Sequence, residues 1–309
     1  MTSLTVAVPH EQLAEDVRAR LDPSLDIDVV LWDGADAPPR ERIDLVVPPY
    51  MRQGRMLARL GEIAPRLVQG QAIGFEGVED RLPAGIVYAN ASSVHETATA
   101  ELTLTLILAA QRRLDVVIRN QERATWDSIG TPGLADRRVV LLGYGGVGRA
   151  IARRLEGFEA ELVPVASRAR DEDGLRVRGI ADLPALLPTA DVLVNALPGG
   201  AGTRRLIDDA ALSALPDGAL LVNIGRGPTV DTDALVDHVR RGRIRVASDV
   251  FDPEPLPADH PLWSLDGAIV SPHMGGRSDA MRPRIARLVA EQAERLARGE
   301  EPVNVVIRT

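Results

Sequence analysis

The sequence contains neither cysteine nor lysine. The first absence removes disulfides, thiol nucleophiles and thiolate metal sites, and no metal is expected. The second removes Schiff-base chemistry and the phosphate-loop lysine of nucleoside triphosphatases, because all 36 basic residues are arginine. Proton chemistry is left to five histidines, the carboxylates or the tyrosines. An excess of positive charge is also missing. A net charge of −8 and the lack of a long basic block exclude a nucleic-acid reader. Long apolar runs are missing too: the longest, Leu102 to Ala110, is interrupted by Thr103 and Thr105 and is too short to span a bilayer. No basic start followed by an apolar core is visible, so no secretory signal and a cytoplasmic location are expected.

What is present is ordinary globular composition, 45% apolar and 26% charged over 309 residues. At roughly 150 residues per domain this suggests about two domains. The chain is organised around Arg138-Val139-Val140-Leu141-Leu142-Gly143-Tyr144-Gly145-Gly146-Val147-Gly148. An apolar run of strand length meets G-x-G-x-x-G, and Ala150, Ile151 and Leu155 continue at helical spacing. In that setting Gly143 permits a tight turn, Gly145 lets backbone approach a pyrophosphate, and Gly148 brings helix against strand. The helix N-terminus offers free N–H groups and a positive dipole end to phosphates. Strand before and helix after favour a dinucleotide site over a βα turn that binds nothing.

Before this stretch, short apolar runs (Thr5–Val8, Asp28–Leu31, Leu45–Val47, Leu67-Val68, Ile86–Tyr88) alternate with helix-like segments. That alternation implies a parallel α/β sheet over residues 1 to about 93. One long helix is expected from about Glu96 to Arg123, with Leu102, Leu106, Ala109 and Leu114 facing core or a second subunit. After it, strands recur at Val139–Leu142, Glu161–Val165, Asp191–Asn195, Ala219–Asn223, Arg245–Ser248 and Ala268–Val270. These predict a doubly wound sheet of roughly six or seven parallel strands. A last helix and the tail Val303–Ile307 are expected to return to the first domain, making it discontinuous.

Ligands of open parallel sheets sit outside the carboxyl ends of the strands. The residues found there are Ile224-Gly225-Arg226-Gly227, then Asp249-Val250-Phe251-Asp252-Pro253-Glu254-Pro255, then Ser271-Pro272-His273-Met274-Gly275-Gly276. One Arg, one Asp, one Glu and one His thus converge beside the glycine-rich turn. Such a set suits hydride transfer to a carbonyl: an imidazole supplies the proton, a carboxylate raises its pKa, and a guanidinium pairs with and polarises the substrate. Plainer readings are a structural His273, a solvated Glu254 and an Arg226 paired with Asp231. His95 is expected to cap the long helix or line the site, and His10, His238 and His260 to be surface or loop positions.

These ordered motifs resemble the D-isomer-specific 2-hydroxyacid dehydrogenases, which include glyoxylate/hydroxypyruvate reductases and phosphoglycerate dehydrogenases. The resemblance covers nearly the whole chain. It implies an α/β architecture of two doubly wound parallel-sheet domains: a Rossmann dinucleotide-binding domain over 95–276 and a smaller flavodoxin-like substrate domain of 1–94 plus 277–309. By the same resemblance Arg226 binds and polarises substrate, His273 is proton donor and acceptor, and Glu254 tunes His273. The cofactor would be lined by Gly143, Tyr144, Gly145, Gly146, Val147, Gly148, Leu197, Pro198, Thr203 and Ile224, with Asp249 on the nicotinamide carboxamide. Gly74 and Phe75 match the loop whose N–H groups take the substrate carboxylate, and Arg52 is a further substrate-contact candidate. The segment Ile73-Gly74-Phe75-Glu76 departs from the family's usual Ala-Gly and smaller aliphatic, which bears on specificity. A homodimer through the long helix is implied. Glu254 stands where formate dehydrogenases carry glutamine, and the regulatory domains common in phosphoglycerate dehydrogenases have no counterpart here.

Cofactor choice has its own signal. An NAD site wants an acid after the second strand, to bond the ribose hydroxyls. Here that strand leads to Ala166-Ser167-Arg168-Ala169-Arg170, with no acid until Asp171. Ser167, Arg168 and Arg170 suit a 2′-phosphate and predict NADP(H) over NAD(H). The expected activity is reduction of a small 2-oxo acid to the D-2-hydroxy acid, or its reverse. A non-catalytic dinucleotide sensor or corepressor on the same fold is the alternative.

Overall fold

The computed structural model describes residues 3–172 and 174–309. The chain divides into two compact units, one of residues up to His95 together with Gly276–Thr309, the other of Glu96–Gly275. In the first unit, apolar runs form β1 (Leu4–Val8), β2 (Ile27–Leu31), β3 (Leu45–Val46), β4 (Leu67–Gln69) and β5 (Val87–Ala89). They pair in parallel in the order β2-β1-β3-β4-β5, the flavodoxin-like arrangement. The strand Val305–Arg308 adds antiparallel to β5. Successive β1 side chains serve opposite faces, as the two-residue period of a strand requires. Leu4, Val6 and Val8 pack with Leu13, Val17, Ile285 and Val289, while Ala7 joins Met56, Leu60 and Tyr88 on the other side.

The second unit holds β6 (Arg138–Leu142), β7 (Glu161–Ala166), β8 (Arg170–Glu172), β9 (Leu175–Gly179), β10 (Val192–Asn195), β11 (Leu220–Asn223), β12 (Arg245–Ser248) and β13 (Ala268–Val270). Their order is β13-β12-β11-β10-β6-β7-β9-β8, parallel throughout except for β8 against β9. β6 is buried on both faces, with Val139 and Leu141 in one core and Val140 and Leu142 in the other. From β6 the chain winds outwards first to β7 and later, in the other direction, to β10. That reversal places the ligand crevice at the carboxyl ends of β6 and β10.

Two expectations are corrected and one is extended. The long helix is two, Glu96–Gln111 and Leu114–Glu122. They are parted at Arg113, whose backbone turns left-handed (φ +50) while its guanidinium pairs with Asp115 and Asp266. The sheet has seven parallel strands, as expected, and gains an antiparallel edge strand, β8, because the charged segments Arg170–Glu172 and Leu175–Gly179 pair without the apolar alternation that signals a strand. His238 is buried on the helix Thr232–Arg240, held between Asp209 and the Arg243 guanidinium.

The glycine-rich turn is locked by close approach. Gly143 has φ +97, and a Cβ there would lie 2.6 Å from the Ala196 carbonyl oxygen. A Cβ on Gly148 would lie 2.1 Å from the carbonyl oxygen of Gly143, so the helix could not seat. Gly148→Ala is expected to cost about 1–3 kcal/mol through overpacking. Thermal or denaturant unfolding checks this; an unchanged midpoint would show that the turn relaxes freely.

Candidate active site

The candidate residues of the second unit lie on loops that leave the carboxyl edge of its sheet. After β6, Gly145 caps the helix Gly146–Leu155. Its φ is −91, and a Cβ there would meet nothing within 4 Å. Neither packing nor backbone conformation demands a glycine at that position. Bare backbone facing open space at a helix N-terminus is what a pyrophosphate group requires. After β10, Leu197 and Pro198 open a loop that Thr203 closes, its hydroxyl donating to the Pro198 carbonyl at 2.8 Å.

β10 and β11 end in register at Asn195 and Asn223. The Asn195 amide donates to the Asn223 side-chain oxygen at 2.9 Å and to the Thr229 hydroxyl at 2.6 Å. Thr229 in turn donates to the carbonyl of Arg226 at 2.6 Å, and Asn223 accepts from the Gly225 N–H at 3.1 Å. This buried network shapes the Ile224–Gly227 turn, from which the half-buried Arg226 projects. The sequence reading missed it. The signal was the repeated Val-Asn ending of two neighbouring strands. Asp231, the alternative partner for Arg226, pairs instead with Arg205.

The segment after β12 passes so near this turn that a Cβ on Gly227 would overlap the Phe251 carbonyl. Glu254 stands at its far end. One carboxylate oxygen accepts the Phe251 N–H at 2.8 Å, and the other lies 2.8 Å from Nδ1 of His273. Because the carboxylate only accepts, Nδ1 carries the proton, and Nε2 is the ring nitrogen left for proton exchange. Hydrogen bonding to Glu254 raises the His273 pKa above its ordinary value, outweighing burial and the nearby Arg226 charge. Burial pushes Glu254 up, but the His273 hydrogen bond, the Phe251 N–H and the charges of His273 and Arg226 together bring it below the usual glutamate value. Both shifts favour the imidazolium–carboxylate form of the pair. The sequence-predicted Arg226, Glu254 and His273 stand together.

Asp249 does something the sequence did not suggest. It is buried, and its carboxylate accepts from the Ser271 hydroxyl at 2.5 Å, the Met274 N–H at 2.9 Å and the Gly275 N–H at 2.8 Å. Its carbonyl accepts the His273 N–H at 2.8 Å. Expected on a nicotinamide carboxamide, Asp249 also uses both carboxylate oxygens to hold the loop that carries His273.

The adenine-end candidates follow β7. Ser167 and Arg168 are exposed, and among the described residues Arg168 makes no ion pair. Arg170 lies on β8, its Nε donating to Glu172 at 2.5 Å and Nη2 to the Tyr144 carbonyl at 3.2 Å. The remaining candidates belong to the first unit. Arg52 is exposed on the loop after β3, and Gly74 and the exposed Phe75 follow β4. His95 is buried there, with Nε2 2.6 Å from the Gln71 carbonyl oxygen and its ring stacked on Tyr50. No helix of the described residues is long and apolar enough to cross a membrane.

The sequence profile of the D-isomer specific 2-hydroxyacid dehydrogenase NAD binding domain matches residues 104–275. A glyoxylate reductase of Aeropyrum pernix is 34% identical over 307 residues, covering 91% of this chain and 90% of the relative. One from Thermofilum pendens is 31% identical over 301 residues, covering 90% and 88%. Among solved structures, a D-isomer specific 2-hydroxyacid dehydrogenase from Xanthobacter autotrophicus Py2, in complex with NADPH and MES, superposes with a TM-score of 0.82 at 26% identity, covering 100% of this chain and 99% of that one. The NADPH-dependent glyoxylate/hydroxypyruvate reductase SmGhrB of Sinorhizobium meliloti, in complex with NADP and malonate, gives 0.79 at 26%, covering 100% and 98%. Similarity of this extent, on a fold with a nicotinamide-dinucleotide crevice and an Arg-Glu-His constellation beside it, makes the chain an enzyme of the D-isomer specific 2-hydroxyacid dehydrogenase family.

Proposed function

We propose that the enzyme reduces a small 2-oxo acid of the glyoxylate or hydroxypyruvate kind to its D-2-hydroxy acid, with NADP(H) preferred over NAD(H). The observation that carries this reading is the His273–Glu254 contact at 2.8 Å beside Arg226. When bound, the dinucleotide supplies or accepts the hydride. His273 Nε2 delivers the proton that the carbonyl oxygen needs, and takes it back in the reverse direction. Glu254 keeps the imidazole protonated to higher pH. Arg226 pairs with the substrate carboxylate and polarises the carbonyl. Gly74 and Phe75 offer backbone N–H groups to the carboxylate, with Arg52 as a further contact. Gly143 to Gly148, Leu197, Pro198, Thr203 and Ile224 hold the dinucleotide, and Asp249 meets its nicotinamide carboxamide while positioning the His273 loop. Ser167 and Arg168 take the 2′-phosphate. Retention of the whole Arg-Glu-His set disfavours a non-catalytic sensor.

Following cofactor oxidation with glyoxylate, hydroxypyruvate and their decarboxylated analogues, using NADPH and NADH in parallel, tests the reading. Turnover confined to 2-oxo acids and higher kcat/KM with NADPH are expected. Absence of turnover on every 2-oxo acid, or better efficiency with NADH, would overturn the corresponding part.

Two variants test the proton path. His273→Asn is expected to lower kcat by roughly 10²–10⁴-fold while NADPH still binds. Reduction requires the imidazolium, so it is supported below the His273 pKa and lost as pH rises through it. Glu254→Gln removes the contact that raises this pKa, and the alkaline limb of the reduction profile is expected to move to lower pH; an unmoved limb would uncouple the two residues.

We further infer a homodimer. Leu114, Val117 and Ile118 form an exposed apolar stripe on the helix Leu114–Glu122, and Trp126 beyond it is fully exposed. Sedimentation at micromolar concentration is expected to give the dimer mass, falling to the monomer in Ile118→Asp.

A further inference from the structure

Glu172 belongs to no part of the chemistry above, yet it organises the basic groups at the proposed adenine end. One of its carboxylate oxygens takes Nε of Arg149, from the helix that follows the glycine-rich turn. The other takes Nε of Arg170, at 2.5 Å. Both guanidinium groups stand over the ring of Tyr144, at 5.8 and 6.0 Å from its centroid, and Arg170 also donates to the Tyr144 carbonyl. Tyr144 is the residue between the first two glycines of the turn. The two arginines hold the Glu172 carboxyl below its ordinary range, which favours its charged form.

Resting on the proposed 2′-phosphate site at Ser167 and Arg168, we propose that Glu172 is a cofactor-specificity residue acting through Arg149 and Arg170. It occupies the Nε edge of two guanidinium groups and offsets their charge, so that they add less to Arg168 on a 2′-phosphate, and thereby narrows the margin between phosphorylated and unphosphorylated dinucleotides. Two physical effects oppose each other here. Bridging pre-orients the arginines, which favours a phosphate. It also places a carboxylate's charge within hydrogen-bond distance of where the dianion would have to pair, which disfavours it. Charge dominates. A phosphate can take the Nε edge of either arginine only by displacing Glu172, and a phosphate bound end-on at the Nη groups still faces the carboxylate across the same guanidinium. Orientation by Tyr144 survives without Glu172, because the ring contacts and the bond to the Tyr144 carbonyl do not involve it.

The test is calorimetric binding of 2′,5′-ADP and 5′-AMP to the full chain and to Glu172→Gln, which keeps shape and removes charge. The variant is expected to bind 2′,5′-ADP about three- to ten-fold tighter, 5′-AMP being unaltered, with the gain shrinking at high salt. Unchanged or weaker 2′,5′-ADP binding would overturn the proposal. Arg170→Gln supplies an independent reading: it should weaken 2′,5′-ADP binding more in the Glu172→Gln background than in the native one, whereas equal effects count against. Arg168→Ala separates this inference from the reading beneath it. If that change leaves 2′,5′-ADP binding intact, the 2′-phosphate site itself is misplaced. If it weakens binding while Glu172→Gln fails to strengthen it, only the role of Glu172 falls.

Discussion

The site depends on one buried carboxylate. A charge taken out of water is costly unless hydrogen bonds replace its hydration, and Asp249 meets that condition with three donors from a single short loop. Satisfying Asp249 dictates the path from Ser271 to Gly275. It also holds His273 at φ +49, a left-handed conformation that a side chain adopts at a cost of about 1–3 kcal/mol. The imidazole consequently meets Glu254, and the electrostatics of the proton donor follow. The chemistry is assigned to His273, but its place is set one loop away.

The neighbouring loops obey the same logic with different means. Arg226 is aimed by amide and hydroxyl bonds that begin at the ends of β10 and β11, and its turn is pressed against Phe251 at Gly227. Glu254 is steadied by the Phe251 N–H. Each functional side chain is thus held by backbone and buried polar groups that react with nothing. Such support lets a charged set keep its geometry at a partly exposed sheet edge.

Much of this was legible beforehand, for definite reasons. Buried parallel strands are continuous apolar runs, so β6, β7, β10, β11 and β12 announced themselves, and the sheet rule then gathered Arg226, Glu254 and His273 on one edge. What escaped lacked a periodic signature. The β8–β9 hairpin is charged and lies at an edge, where burial imposes no pattern. The break at Arg113 depends on pairing with Asp266, far away in sequence. His238 looked like surface because the residues that enclose it, Asp209 and Arg243, come from other elements. That Asp249 also holds the His273 loop was not visible, because the single-letter pattern cannot say which donors a carboxylate faces. The contact of Glu172 with Arg170 escaped for the same reason, since Glu172 two residues on carried no hint that it folds back.

The discontinuity of the first unit bears on how the protein is made. The second unit is one uninterrupted stretch, and its core can close as soon as Gly275 has left the ribosome. The first is not so placed. Its β1 face is covered by Ile285, Leu288 and Val289 of the Met281–Ala297 helix, and the β5 edge is paired by Val305–Arg308. During synthesis the N-terminal strands therefore emerge first and are completed last, holding an apolar face uncovered and an edge unpaired while nearly all the remaining chain is translated.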